Sequence, residues 1–216
     1  MRILVTGGSG VLGRAFLPLA GREGHDVAAP ARAELDLFDP AAVAAAVEGR
    51  DAVLHLATRI RPLDTLRDPA AWHENDRLRR DASRILVDAA LAADVAAYVQ
   101  PTVTFVYPPD EPADEETPLR EVPEILRSAL AAEQEAARFA RAGRRGVVLR
   151  FGLLDGEGTG NDEPNPRLGA TLDVADAGRA LLAALTVESG VYNVCRDGER
   201  ISNRRFSEAT GWRPLD

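Results

Sequence analysis

Short apolar runs alternate along the chain with longer stretches in which apolar residues return at three- and four-residue intervals. This pattern predicts strand-helix-strand units around a parallel sheet. Strands are expected over 2–6, 26–29, 51–56, 97–102, 146–151 and 190–195, with 104–107 also extended. The first helix carries Val11, Leu12, Ala15, Phe16 and Leu19; Pro18 lies inside it, at a cost of about 3 kcal/mol, so that helix is expected to kink or to end early. A second starts from Asp39 as N-cap with Pro40 at its first position and runs to Val47. Two long ones cover 69–93 and 121–142, the latter stopped by Gly143, and two more follow Asp173 and Ser202. Residues 152–169 read as loop. The fold class expected is α/β, a doubly wound parallel sheet forming one domain over 1–216, with 152–216 as a small extension.

Between the first strand and the first helix lies Thr6-Gly7-Gly8-Ser9-Gly10-Val11-Leu12-Gly13, with glycines at spacing G-x-x-G-x-x-G. In a strand-loop-helix setting such glycines have three distinct uses. Gly7 permits the tight turn, Gly10 lets backbone approach a pyrophosphate, and Gly13 lets the helix pack closely on the strand. The helix N-terminus, at Val11 and Leu12, offers amides to the phosphates. The motif therefore predicts a Rossmann-type site for a nicotinamide dinucleotide. An acid at the end of the second strand usually holds the ribose 2′-hydroxyl of NAD, whereas a base accommodates the 2′-phosphate of NADP. Ala31 stands where the acid belongs and Arg32 follows it, so NADP is expected, with NAD as the alternative. Arg14, after the third glycine, either adds a second positive contact or stays solvated.

Composition narrows the partners. The net charge of −8 lacks the basic face that phosphate backbones need, which excludes nucleic acid and leaves a small-molecule substrate. No apolar run approaches the roughly 18 residues of a bilayer span. Met1 and Arg2 lead directly into the first strand, so a cytoplasmic protein is expected. The single cysteine, Cys195, reads as a small core residue, and no metal-spaced His/Cys/Asp cluster is present. All 26 basic side chains are arginine; the chain contains no lysine.

The chain resembles the extended, epimerase/dehydratase-like branch of the short-chain dehydrogenase/reductase superfamily. The resemblance rests on the glycine loop, Asp36-Leu37, His55-Leu56-Ala57, Val106-Tyr107, Leu149-Arg150-Phe151-Gly152, Asp173-Val174-Ala175-Asp176-Ala177, Gly190-Val191-Tyr192-Asn193-Val194 and Thr210-Gly211-Trp212-Arg213-Pro214. It implies that Asp36 and Leu37 flank the adenine, that His55, Leu56 and Ala57 lie toward the nicotinamide end, and that the two long helices pair subunits into a homodimer. It also implies a Tyr-x-x-x-Lys pair with a nearby Ser or Thr for proton transfer. That pair cannot exist without lysine. Aligning 126–133 with the family helix puts Ile125 at the tyrosine and Ala129 at the lysine, and counting back from Tyr107 puts Val103 at the Ser/Thr.

Thr102, Thr104 and Tyr107 are the hydroxyls left as candidate catalytic groups, with a backbone-satisfying role at a strand end as the alternative. Tyr107, with no ammonium nearby, is expected near the ordinary phenol pKa of about 10. Arg59 and Arg61 either bind an anionic group or remain solvated. Three functions fit these features: an NADP-dependent oxidoreductase of a small metabolite working without the usual pair, a non-redox cyclase, isomerase or dehydratase that reuses the pocket, and a dinucleotide-binding protein without turnover.

Overall fold

In a computed structural model, residues 1–60, 65, 68–166, 169–198 and 200–215 are described. Six parallel strands form the central sheet: β1 (Arg2–Thr6), β2 (Asp26–Ala28), β3 (Ala52–His55), β4 (Ala97–Val103), β5 (Arg145–Phe151) and, last in the chain, β8 (Gly190–Val194). Their order is β2-β1-β3-β4-β5-β8, so the direction of winding reverses beside β1. Parallel α/β sheets open a crevice at such a point, outside the carboxyl ends of the strands.

Period-two alternation sends neighbouring residues of one strand to opposite layers. Ile3 and Val5 join Phe16, Leu54, Leu149, Leu172, Leu181, Phe206 and Trp212 in one buried layer. This layer is covered by α1 (Val11–Arg22) and α6 (Val174–Ala183). Those two helices meet closely at Gly178, where an added Cβ would lie 2.8 Å from the Ala15 carbonyl oxygen. Leu4 and Val53 face the other way, toward Val43, Leu86, Tyr98, Phe139 and Val148. Here α2 (Pro40–Val47), α4 (Ser83–Ala92) and α5 (Arg127–Arg141) form the cover.

Several expected boundaries move for identifiable reasons. Helix α1 runs through Pro18 without ending. The long helix over 69–93 is α3 (Pro69–Arg77), a π-turn (Leu78–Ala82) and α4 in succession. Helix α5 starts at Arg127 rather than Glu121, because Glu121 adopts φ +52 and a 3-10 turn (Glu124–Leu126) follows Pro123. Residues 104–106 form a 3-10 turn instead of a strand. Within the expected loop, β6 (Leu153–Asp155) pairs with β7 (Thr171–Asp173), and Asp173 then caps α6 through Ala175 and Asp176. The C-terminal helix is α7 (Arg204–Thr210).

Candidate functional site

The glycine loop stands at the crevice, between β1 and α1. Gly7 has φ +75, and a Cβ there would come within 2.6 Å of the Ala57 backbone nitrogen and Cα. Both the turn and the close approach to the end of β3 therefore require glycine. The Gly10 amide closes the loop on the Gly7 carbonyl at 2.9 Å. Gly10 itself is extended, at φ −74 and ψ 176, and no side chain caps α1. An uncapped helix start with backbone at the surface is the arrangement that accepts a pyrophosphate. Gly13 has a different neighbour from the one expected: a Cβ there would lie 2.3 Å from the Gly8 carbonyl oxygen, so it seats the helix on the loop rather than on the strand. Val11 and Leu12 begin α1 as expected. Arg14 is exposed, donates to the Ser9 carbonyl at 2.7 Å and lies beside Gly158.

On the β2 side, Asp36 accepts from the Phe38 amide at 2.9 Å, while the Leu37 side chain is buried with Val43 and Leu86. Arg32 is 83% exposed and pairs with Glu74 of α3 at 2.6 Å. Arg59 approaches the same carboxylate at 3.6 Å. The guanidinium of Arg77 stacks on the Phe38 ring, 4.0 Å from its centre. Three arginines thus gather at the expected adenosine end; Arg61 lies outside the described residues.

At the end of β3, Leu56 is buried and Ala57 offers its backbone to Gly7. The His55 ring is buried with both nitrogens in use. Its Nε2 lies 3.1 Å from the Leu78 carbonyl, which only accepts, so Nε2 carries the proton and Nδ1 accepts from the Thr6 hydroxyl at 2.6 Å. Burial lowers its pKa to about 4, so the ring stays neutral at physiological pH and is not a proton donor there.

The three candidate hydroxyls are all buried. Thr102 donates to Glu133 Oε1 at 2.8 Å. Arg150 holds both oxygens of that carboxylate, at 2.9 and 2.6 Å, and donates to the Tyr107 oxygen at 2.7 Å. Tyr107 in turn donates to Asn193 Oδ1 at 3.0 Å. This network joins β4, α5, β5 and β8, and its tyrosine hydroxyl has no proton to spare. One expectation is corrected: the phenol pKa is raised, because burial outweighs the guanidinium of Arg150 that stands beside Tyr107 in place of an ammonium. Thr104 sits in the 3-10 turn, and its carbonyl accepts from the Tyr107 amide. Ile125 is half-buried in the turn before α5, and Ala129 packs with Val106 and Tyr107.

Glu133, Arg150 and Asn193 were absent from the candidates. An arginine inside the buried run of β5 was the available signal, since such a residue needs a partner. Asp155 is likewise buried against Arg196, with contacts of 2.6 and 2.7 Å. Beside Tyr107 opens a cleft of about 960 Å³, walled by Phe105, Pro108, Pro123 and Gly169, with Arg200 donating to the carbonyls of Pro108 and Glu111. Among the described residues there is no group of three metal-ligating side chains, and no helix is long and apolar enough to cross a membrane.

Residues 3–190 match the NAD dependent epimerase/dehydratase family. The chain belongs to this family. A 3-diazoavenalumate denitrifying reductase from a Streptomyces species is 35% identical over 178 residues, covering 74% of this chain and 58% of that protein. The chain thus spans little more than half the length of this relative. Among solved structures, RMD from Pseudomonas aeruginosa complexed with NADPH superposes with a TM-score of 0.78 at 22% identity, covering 100% of this chain and 92% of that one. The UDP-glucose 4-epimerase of Thermus thermophilus, complexed with NAD, gives 0.79 at 20% identity, covering 100% and 94%. At such identities the likeness is one of fold, and it extends over the whole length of this chain.

Proposed function

We propose that this chain is an NADP-dependent reductase of a small metabolite that draws no proton from a tyrosine-lysine pair. The observation that carries the reading is the glycine cradle: Gly7 pressed on the backbone of Ala57, and the extended backbone of Gly10 before an uncapped helix. These residues fit a dinucleotide, with Gly7, Gly10, Val11, Leu12 and Gly13 at the pyrophosphate and Arg14 and Arg32 nearby. Asp36 and Leu37 belong to the adenine side, and His55, Leu56 and Ala57 to the nicotinamide side. When bound, NADPH supplies a hydride.

The chain's own residues argue for an acceptor that needs no acid. Tyr107 is saturated by Arg150 and Asn193, Thr102 is committed to Glu133, and His55 is held neutral. Ile125 and Ala129 cannot move a proton at all. The name of the Streptomyces relative supplies a fitting class: reductive removal of a diazo group. An aryl diazonium carbon that gains hydride and loses dinitrogen becomes C–H, balancing charge and atoms without a proton from the protein. The cleft beside Tyr107, lined by Phe105 and prolines, suits an aromatic acceptor. We extend the proposal to one domain over 1–216, with 152–216 completing the substrate side, and to pairing of two copies through the α4 and α5 layer.

Arg32 is the test of cofactor choice. To meet a 2′-phosphate it must exchange its pairing with Glu74, so Arg32→Ala is expected to weaken NADP by roughly tenfold, the low end for a charge-assisted contact. NAD affinity should hardly change. Calorimetry with both cofactors checks this, and equal losses would remove Arg32 from the 2′ site.

A further inference from the structure

Arg79 is a buried cation with no hydrogen-bond or ion-pair contact among the described residues. It is 4% exposed, its Nε is sealed from solvent, and it makes no hydrogen bond and no ion pair with any of them. Its two terminal nitrogens, equally unpaired there, are not sealed. The carboxylates acting on it are Asp76 and Glu133. Removing a guanidinium from water without such a partner is costly, and natural cores rarely tolerate it. Three more polar atoms on the elements that pack here are buried and unpartnered: Asn75 Nδ2, Asp76 Oδ1 and, on the buried face of α5, Ser128 Oγ.

Backbone geometry places this group on the path leading from the glycine cradle. Leu78, next to Arg79, accepts from His55 at the end of β3. Asn75 Oδ1 accepts from the amide of Arg59 at 3.1 Å, so the face shared by Asn75 and Arg79, four residues apart, lies along 55–59. That is the segment Gly7 presses on. From the other side, the α3 and π-turn stretch packs against α5, whose buried face is Ser128, Ala129, Ala132 and Glu133. Ala129 brings only a methyl group to it.

Resting on the dinucleotide reading, we propose that Arg79, through the two terminal nitrogens left open, binds the vicinal hydroxyls of the nicotinamide-side ribose. The donor and acceptor set selects hydroxyls over an anion. The open Arg79 nitrogens donate, and the carboxylates of Asp76 and Glu133 act on the same group. A diol answers both kinds of group, whereas a carboxylate or phosphate would sit against Asp76. The forked N–H groups of a guanidinium also suit two adjacent oxygens.

The experiment is calorimetry of the full chain with NADP⁺ and with adenosine 2′,5′-bisphosphate, which lacks the nicotinamide-side ribose. Arg79→Met is expected to weaken NADP⁺ by roughly ten- to a hundredfold while leaving the bisphosphate unchanged. Arg79→Lys, which keeps a donating cation but loses the fork, should recover only part of that loss. The melting temperature of the unliganded Met variant should stay level or rise, because a buried cation that makes no hydrogen bond has been replaced by an apolar chain. Unaltered NADP⁺ affinity, equal weakening of both ligands, or a large fall in melting temperature would each overturn the assignment. Wild-type protein that bound neither ligand would instead overturn the dinucleotide reading itself.

Discussion

Gly10→Val is expected to cost at least a hundredfold in NADP(H) affinity and to leave the protein folded. The two outcomes separate because Gly10 has an ordinary extended backbone, φ −74 and ψ 176, that any residue adopts. Its added Cβ would meet only the Gly7 carbonyl oxygen, at 3.2 Å, which a small loop adjustment relieves. The two methyl groups of valine, however, would stand at the surface where backbone must approach a pyrophosphate. Gly13 makes the contrasting case, since its Cβ would collide with the Gly8 backbone at 2.3 Å. Binding measured by calorimetry, with circular dichroism as the folding check, tests this. A folded Gly10→Val protein with unchanged affinity would show that the loop is a structural turn and nothing more.

The second large effect concerns the Thr102-Glu133-Arg150-Tyr107-Asn193 network. The Arg150 and Glu133 side chains are 6% and 9% exposed and bonded through both carboxylate oxygens. Glu133→Ala therefore leaves a guanidinium buried without its anion and Thr102 without its acceptor. Breaking one side of such a pair costs about 3–5 kcal/mol. At roughly 2–4 °C per kcal/mol for a chain of this size, the melting temperature should fall by roughly 6–20 °C. The double variant Glu133→Leu with Arg150→Met should regain most of the loss, because well-packed apolar groups often replace a buried pair at little cost. A fall of less than about 1 kcal/mol in denaturant unfolding of Glu133→Ala would mean that the network contributes nothing beyond its alternatives.

Much of the fold was legible because its signals are local. Strand runs such as Ile3-Leu4-Val5, the Asp39 and Asp173 caps and the Gly143 stop each specify structure within a few residues. The glycine loop was legible for the same reason. Boundaries failed where tertiary context decides. The π-turn at Leu78–Ala82 lies where the Leu78 carbonyl meets a histidine 23 residues earlier, and no periodicity encodes that contact. The late start of α5 depends on a left-handed Glu121, which propensity does not foresee.

At the candidate site, the absence of lysine was readable by inspection, whereas the partners of Tyr107 were not. Arg150 and Asn193 come from strands 43 and 86 residues away and reach it only through the β4-β5-β8 register. Arg79 was legible only as one of several arginines on a helix; its burial follows from the packing of α5.

The proposed reduction takes a hydride from NADPH and no proton from the protein, and the fate of an isotopic label separates those two sources. The protein would be supplied with an aryl diazonium carboxylate and NADPH deuterated at its transferable position in ordinary water, then with unlabelled NADPH in D₂O. The expected product carries deuterium in its new C–H bond in the first experiment and none in the second, with one dinitrogen released per NADPH consumed. Deuterium entering that bond from D₂O, or product formed with no NADPH consumed, would overturn the proposed chemistry.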